Sequence, residues 1–321
     1  MNDNSFGPTS EKTVTGCPMV GAVVLTHNSV NDLLFSLDGL ISQRSIEIRI
    51  IVVDNASIPT NRAAMEEIFH EKLPAGIIVD AVDATSDLLD FAHAVFVRSP
   101  HNFGYSVGNN IGARLAVTAG CEAVLIVNPD VRISNPDYLA SLWSEMQKVP
   151  TCLVASSRIF DLAGRDEHPL RETGFWEELL WFRQLGPRIF RPATRVIPPS
   201  GSEPVEAEKL HGSCLLLRAS FLEATNFLDE NVFLYSEEPI LAAQVRSVGG
   251  RMIVFPELEA VHAHVTSAKG NPSHRMLQFI TSRLYYLDTY TNYGPIRSTA
   301  LHASYGVLSL LHRMKAWSGK R

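Results

Sequence analysis

The chain has no apolar run of the ~18 residues that a membrane-spanning helix needs. It has no excess of basic residues either. With 28 Lys or Arg against 34 Asp or Glu the formal net charge is -6. That argues against general nucleic-acid binding, although a local basic patch is still compatible with it. Cysteine is scarce, and Cys17, Cys121, Cys152 and Cys214 are widely spread, without the spacing of metal ligands. The last three sit in or beside apolar runs, so buried free thiols and a reducing, cytoplasmic setting are expected. The opening stretch MNDNSFGPTSEKTVTG lacks the apolar core of a signal peptide, and residues 1–18 read as a disordered leader. There is no internal repeat. The dinucleotide fingerprint GxGxxG is missing, which leaves hydride chemistry without support.

What is present is an ordinary globular composition, 45% apolar and 19% charged over 321 residues, enough for one large domain or two modest ones. Short β-branched runs alternate with helical spacings. Val20 to Leu25 reads as a buried strand, and Leu33, Leu34, Leu37 and Leu40 recur at helical intervals. Ile46 to Val53 is a second strand, followed by a helix near 61–69. A further strand is expected near 77–79 and a clearer one at 95–98. Strand, helix, strand, helix is the signature of a parallel sheet wound with crossovers.

The centre of the pattern is AVLIVNPDVRI, Ala123 to Ile133. Its five apolar residues form a strand buried on both faces, and Pro129, which cannot donate to a ladder, ends it. Asp130 therefore lies at the edge of a parallel sheet, where open α/β folds bind ligands. A carboxylate there suits a hard divalent cation that also contacts a substrate's phosphates. The plainer alternative is a strand end that starts a turn.

Five motifs in order decide between these. They are VVLTHNS, VVDNAS, HNFGYSVGNNIG, LIVNPDV and FLDENVFLYSEE. Together they resemble the family 2 glycosyltransferases of the nucleotide-diphospho-sugar transferase fold called GT-A, among them bacterial rhamnosyltransferase-like enzymes of surface polysaccharides. The resemblance implies an α/β fold with a mixed, mainly parallel sheet flanked by helices and a C-terminal helical extension. It places a GT-A domain over 19–272, with a nucleotide-sugar-binding half at 19–133 and an acceptor and catalytic half at 134–272. A basic helical tail occupies 273–321.

The resemblance also implies roles. Asp54 would bind the nucleotide, with Thr26, Asn28 and Asn55 in the same pocket. Asn102, Gly104 and Asn109 come from the Gly-rich segment, whose following helix can present its N-terminus to a phosphate. Asn128 and Asp130 stand where many GT-A enzymes carry an acidic-x-acidic motif. Asn128 adds no charge, so Asp130 is the sole carboxylate of that motif, and metal binding should lean on the substrate's diphosphate. His262 and His264 would join Asp130 around Mg²⁺ or Mn²⁺. His211, Gly212 and Ser213 would line the acceptor side. Glu238 is the expected general base, with Glu237 as the alternate. Ile240 replaces an acid that many relatives carry. The implied reaction is transfer of a sugar from a dTDP- or UDP-sugar to a glycan or lipid-linked acceptor, with inversion. Two rivals are a catalytically weak sugar-nucleotide-binding scaffold and a nucleotidyltransferase. The latter would carry a Gly- and Arg/Lys-rich loop after the first strand, where this chain has THNSVNDLL.

The segment 150–208, with FWEELLWF and a Pro-rich stretch, fits the family less well. From Ser273 onward there are seven Lys or Arg and one acid, Asp288. The amphipathic stretches there can lie on the inner face of an anionic membrane, pack on the catalytic domain, or form a homodimer.

Overall fold

The computed structural model describes residues 17–167, 171–182, 201–264 and 271–318. The leader expected over 1–18 and the Pro-rich stretch therefore lie almost wholly outside the described residues.

Ten strands form one sheet. The first five are β1 (Met19–Thr26), β2 (Glu47–Asp54), β3 (Ile77–Asp80), β4 (Ala94–Arg98) and β5 (Ala123–Val127), and all pair in parallel. The others are β6 (Val131–Arg132), β7 (Cys152–Asp161), β8 (Val205–Glu206), β9 (Cys214–Arg218) and β10 (Arg251–His262). Strand β9 enters antiparallel between β5 and β7, and β10 runs parallel to β7.

Alternation along the strands builds a core on each face of the sheet. Val20, Ala22 and Val24 of β1 pack with Leu33 and Leu37 of α1 (Val30–Ile41) and with Met65 and Phe69 of α2 (Pro59–Lys72). Val23, Ile51 and Val95 pack on the opposite face, against Ala113 and Ala116 of α4 (Tyr105–Thr118). The chain leaves β1 toward β2 on one side and reaches β5 on the other. That reversal opens a crevice at the C-terminal ends of β1 and β5, the place where such sheets bind ligands.

Helix α4 starts at Tyr105, earlier than the start near Gly108 expected from sequence. Gly104 makes this start feasible. Its φ is +86°, and a Cβ there would lie 2.0 Å from Phe233 O, so only glycine fits the approach. The remaining helices are α3 (Leu88–Ala92), α5 (Tyr138–Gln147), α6 (Phe175–Leu179), α7 (Ala219–Ala224), α8 (Glu237–Ser247), α9 (Pro272–Tyr290) and α10 (Pro295–Ser318).

The tail packs on the domain. Ile280, Tyr286 and Leu287 of α9 and Leu301, Tyr305 and Leu308 of α10 share a buried cluster with Ile240 and Ala243 of α8. Phe175 and Leu179 of α6 pack against the same cluster, so the aromatic run FWEELLWF meets the tail and is partly covered by it. A buried ion pair between Arg283 and Glu178 fastens α9 to α6, and Tyr305 of α10 donates to the same carboxylate.

Candidate active site

Two adjoining cavities open at the crevice. The larger, about 550 Å³, is lined by residues from the ends of β1 and β5 and by the turn before α4, including Thr26, Asn55, Asn102, Asn128 and Asp130. The smaller, about 280 Å³, is lined by Gly212, Ser213, Tyr235, Glu237, Glu238 and Phe279. Tyr105, Asn128, His211 and Leu234 belong to both.

On the larger side a histidine cluster surrounds Asp130. His264 Nδ1 lies 3.2 Å from Asp130 Oδ2, and His262 Nε2 lies 3.4 Å from Oδ1. His262 ends β10, so its ring is held by the sheet, and it is 7% exposed. Its Nδ1 lies 2.8 Å from Glu167 Oε2. His211 adds a third ring, 5.1 Å from that of His262. Burial alone would lower the His262 pKa, but the hydrogen bonds and charges of Asp130 and Glu167 outweigh it and raise it to about 9. Burial pushes the Asp130 carboxyl up, and the two imidazoles more than reverse this, holding it below its ordinary value. Partial burial holds the His211 pKa below its ordinary value despite the nearby charges of Glu238 and Glu167.

These residues fit a divalent cation. Ligand atoms of Asp130, His262 and His264 lie within 4.8 Å of one another. Asp130 Oδ1 is buried and makes no well-formed hydrogen bond, its nearest partner being His262 Nε2 at 3.4 Å, so a cation placed between the two would bind both.

On the smaller side the two glutamates open α8. Ser236 precedes them in the left-handed region, φ +65°, and turns the chain sharply into the helix. The carboxylates then diverge. Glu237 Oε1 accepts from Tyr235 N–H at 2.7 Å. Burial, and then the charge of Glu238, raise the Glu237 pKa to about 7. Glu238 reaches toward Gly212, with Oε1 3.8 Å from where a Cβ on that glycine would sit. Burial and the two glutamates push the Tyr105 phenol well above its ordinary value. It thus stays protonated and donates to Gly212 O at 2.6 Å. Helix α9 supports this corner, with Ser282 donating to Leu234 O at 2.8 Å and Tyr285 to Asp229 at 2.7 Å.

Most of the expected residues meet at the two cavities: Thr26, Asn55, Asn102, Gly104, Asn128, Asp130, His211, His262 and His264 at the larger, and Gly212, Ser213, Glu237 and Glu238 at the smaller. Three do not line either cavity. Asp54 is fully buried behind the wall, with Oδ1 accepting from Ser57 N–H and Oδ2 paired to Arg62 at 2.6 Å. Its carboxylate holds the turn into α2. Asn28 spends its carboxamide on that same turn, accepting from Ile58 N–H and Asn61, and does not line the cavity. Asn109 is buried in α4, where its amide donates to Tyr105 O. Gly104 lines the cavity, but the close approach it permits is to Phe233 O.

Sequence reasoning missed Glu167, Tyr105, Tyr235 and Phe279. Tyr105 and Tyr235 lie inside quoted motifs. Glu167 and Phe279 lie in segments where the motifs are silent, and local pattern carried no signal for them.

Comparison with known proteins agrees with this geometry. The family model described as glycosyl transferase family 2 matches residues 22–200, more than half of the chain. The low-salt glycan biosynthesis hexosyltransferase Agl10 of Haloferax volcanii is 32% identical over 144 residues, covering 44% of this chain and 43% of its own length. The chain thus matches less than half of that curated relative. Among solved structures, the mannosyltransferase PcManGT from Pyrobaculum calidifontis, in complex with GDP-Man and Mn2+, aligns with a TM-score of 0.54 at 17% identity, over 95% of this chain and 75% of that one. GalNAc-T7 with UDP, GalNAc and Mn2+ aligns at 0.58 and 13% identity, over 91% and 55%. These low identities speak to the fold alone.

Proposed function

The chain belongs to glycosyl transferase family 2 and has the GT-A fold, and on that premise we propose that it moves a sugar from a nucleotide-diphosphate donor, a dTDP- or UDP-sugar, to a hydroxyl of a glycan or lipid-linked glycan. The observation that carries this is the junction of two cavities. A cation-ready cluster stands on one side and a carboxylate at a helix start on the other.

The donor occupies the larger cavity, its nucleoside against Thr26, Asn55 and Asn102 and its diphosphate toward Asp130 and the histidines. The acceptor enters the smaller cavity. Glu238 takes the proton of its hydroxyl as the oxygen attacks the anomeric carbon. The bond to the diphosphate breaks on the opposite face, so configuration inverts in one displacement. A divalent cation held by Asp130, His262 and His264 would neutralise the charge that builds on the leaving diphosphate. Two imidazoles and one carboxylate suit Mn²⁺ better than Mg²⁺, which prefers oxygen ligands. Geometry favours Glu238 over Glu237, whose carboxylate is already turned back onto Tyr235 N–H.

A ligand-shift panel of dTDP-, UDP- and GDP-sugars with Mn²⁺, followed by donor hydrolysis, tests the reading. Binding with metal-stimulated hydrolysis supports a transferase. Binding without turnover would support the scaffold instead. The turn between β1 and α1 holds only His27, Asn28 and Ser29, without the glycines and cations a nucleotidyltransferase would need there.

No described helix is long and apolar enough to cross a membrane. Helix α10 nevertheless has an outward apolar face. Ile296, Val307, Leu310, Leu311 and Met314 are all exposed and fall within an arc of about 100°. The arc faces away from buried Leu301, Tyr305 and Leu308. Arg297 and Lys315 border it on one side and Arg313 on the other, and α10 holds no acid. An apolar arc flanked by cations matches an anionic bilayer surface. A second copy of α10 would bring like charges together, so we infer a bilayer as the occupant.

A further inference from the structure

The turn after β5 brings one carboxylate, Asp130, to the histidine cluster. A second carboxylate reaches the same cluster from elsewhere. Glu167 follows the turn at the end of β7, and its N–H donates to Ile159 O at 2.6 Å, which ties it to the strand that pairs with β10. Its Oε2 lies 2.8 Å from His262 Nδ1, while the opposite nitrogen of the same ring faces Asp130 Oδ1 at 3.4 Å. Asp130, His262 and Glu167 thus form a line of carboxylate, imidazole, carboxylate, with the ring 7% exposed.

We propose that Glu167 is a positioning residue of this site and holds the ring of His262 for the ion. The proposal rests on the metal reading above. When His262 binds an ion it does so as a neutral imidazole, and a neutral ring that donates from Nδ1 to a carboxylate carries its lone pair on Nε2. That lone pair then points to the side of Asp130 and His264, where the ligand atoms converge. The acceptor also fixes the ring's rotation and makes Nε2 a stronger ligand, the usual work of a carboxylate behind a metal-binding histidine. A competing role exists, because Glu167, His211 and His262 also bring ligand atoms within 4.8 Å of one another. In that role Glu167 would itself touch the ion, and Nδ1 would have to face the ion instead of donating.

Titration of the full chain with MnCl₂ alone, followed by electron paramagnetic resonance of free Mn²⁺, separates these roles. Glu167→Ala should weaken Mn²⁺ binding by about 10–100-fold, the usual cost of losing such a partner. Glu167→Gln keeps an oxygen that accepts from Nδ1–H, so it should recover most of the affinity and bind Mn²⁺ clearly more tightly than Glu167→Ala. Equal loss in Glu167→Gln and Glu167→Ala would overturn positioning in favour of direct ligation. Affinity within about twofold of native in Glu167→Ala would overturn any role for the residue. Asp130→Ala is the control for the underlying reading. If it leaves Mn²⁺ affinity unchanged, or if the native chain binds no Mn²⁺, the metal site itself fails and the proposal falls with it.

Discussion

Replacing Glu237 by Gln should stabilise the protein at alkaline pH and leave its stability at pH 4 unchanged. Burial and the neighbouring charge of Glu238 hold the Glu237 carboxyl at about 7, against an ordinary 4.5. Its folded pKa is raised, so the stability it contributes is fully present below 4.5 and is lost as the pH rises through about 7. The gap corresponds to about 3 kcal/mol, and the figure is an upper bound because the side chain is part-exposed and water screens some of the repulsion. Gln keeps the acceptor for Tyr235 N–H and cannot ionise. Unfolding free energies from urea titrations at pH 4, 5.5, 7 and 8.5 should therefore fall with pH more steeply in the native chain than in Glu237→Gln. The two curves should meet at pH 4. The same pair decides the chemistry. Glu237, with its carboxyl raised to about 7 and turned back onto Tyr235 N–H, leaves Glu238 as the base we propose. Glu238→Gln should keep donor affinity and lose about 10²–10⁴-fold in kcat, while Glu237→Gln loses far less. Parallel stability curves for the native chain and Glu237→Gln would refute the electrostatic coupling. Near-normal turnover in Glu238→Gln, under conditions where chemistry limits the rate, would refute the assignment of the base.

Leu310→Glu with Met314→Glu places two charges on the exposed arc of α10 and touches no buried residue. Sedimentation with phosphatidylglycerol-containing vesicles should be strong for the native chain and lost in the variant, at unchanged Tm. A native dimer broken by the same changes would instead assign the face to a second copy. Glu178→Ala strands Arg283, 5% exposed, beside α6 and α10. Breaking a buried ion pair from one side costs about 3–5 kcal/mol, so chemical denaturation should show a loss of that size. A loss below ~1 kcal/mol would mean that the guanidinium finds water when its partner is removed.

Period and punctuation made much of the sheet legible. Residues 123–127 alternate no polar groups and end before a proline, and β5 occupies those five positions. Glu237 begins α8 as the acidic pair and the following proline suggested. Asp130, His262 and His264 come together at the end of β10, with both rings beside the Asp130 carboxylate. Periodicity reports which face of an element is buried, but it does not name what covers that face. The sequence pattern did not show that Asp54 pairs with Arg62, one turn into the next helix, behind the wall. The basic tail left three partners open until Ile240, Ala243 and the ring of Phe175 met it in space. Glu167 lies 95 residues from His262, and no local rule links them. Only the parallel pairing of β7 with β10 brings that carboxylate to that imidazole. The motifs in the sequence thus determined the fold and the chemical inventory of the site. Long-range strand pairing, which no local pattern encodes, decided which carboxylates face the cavities and which are spent holding the walls.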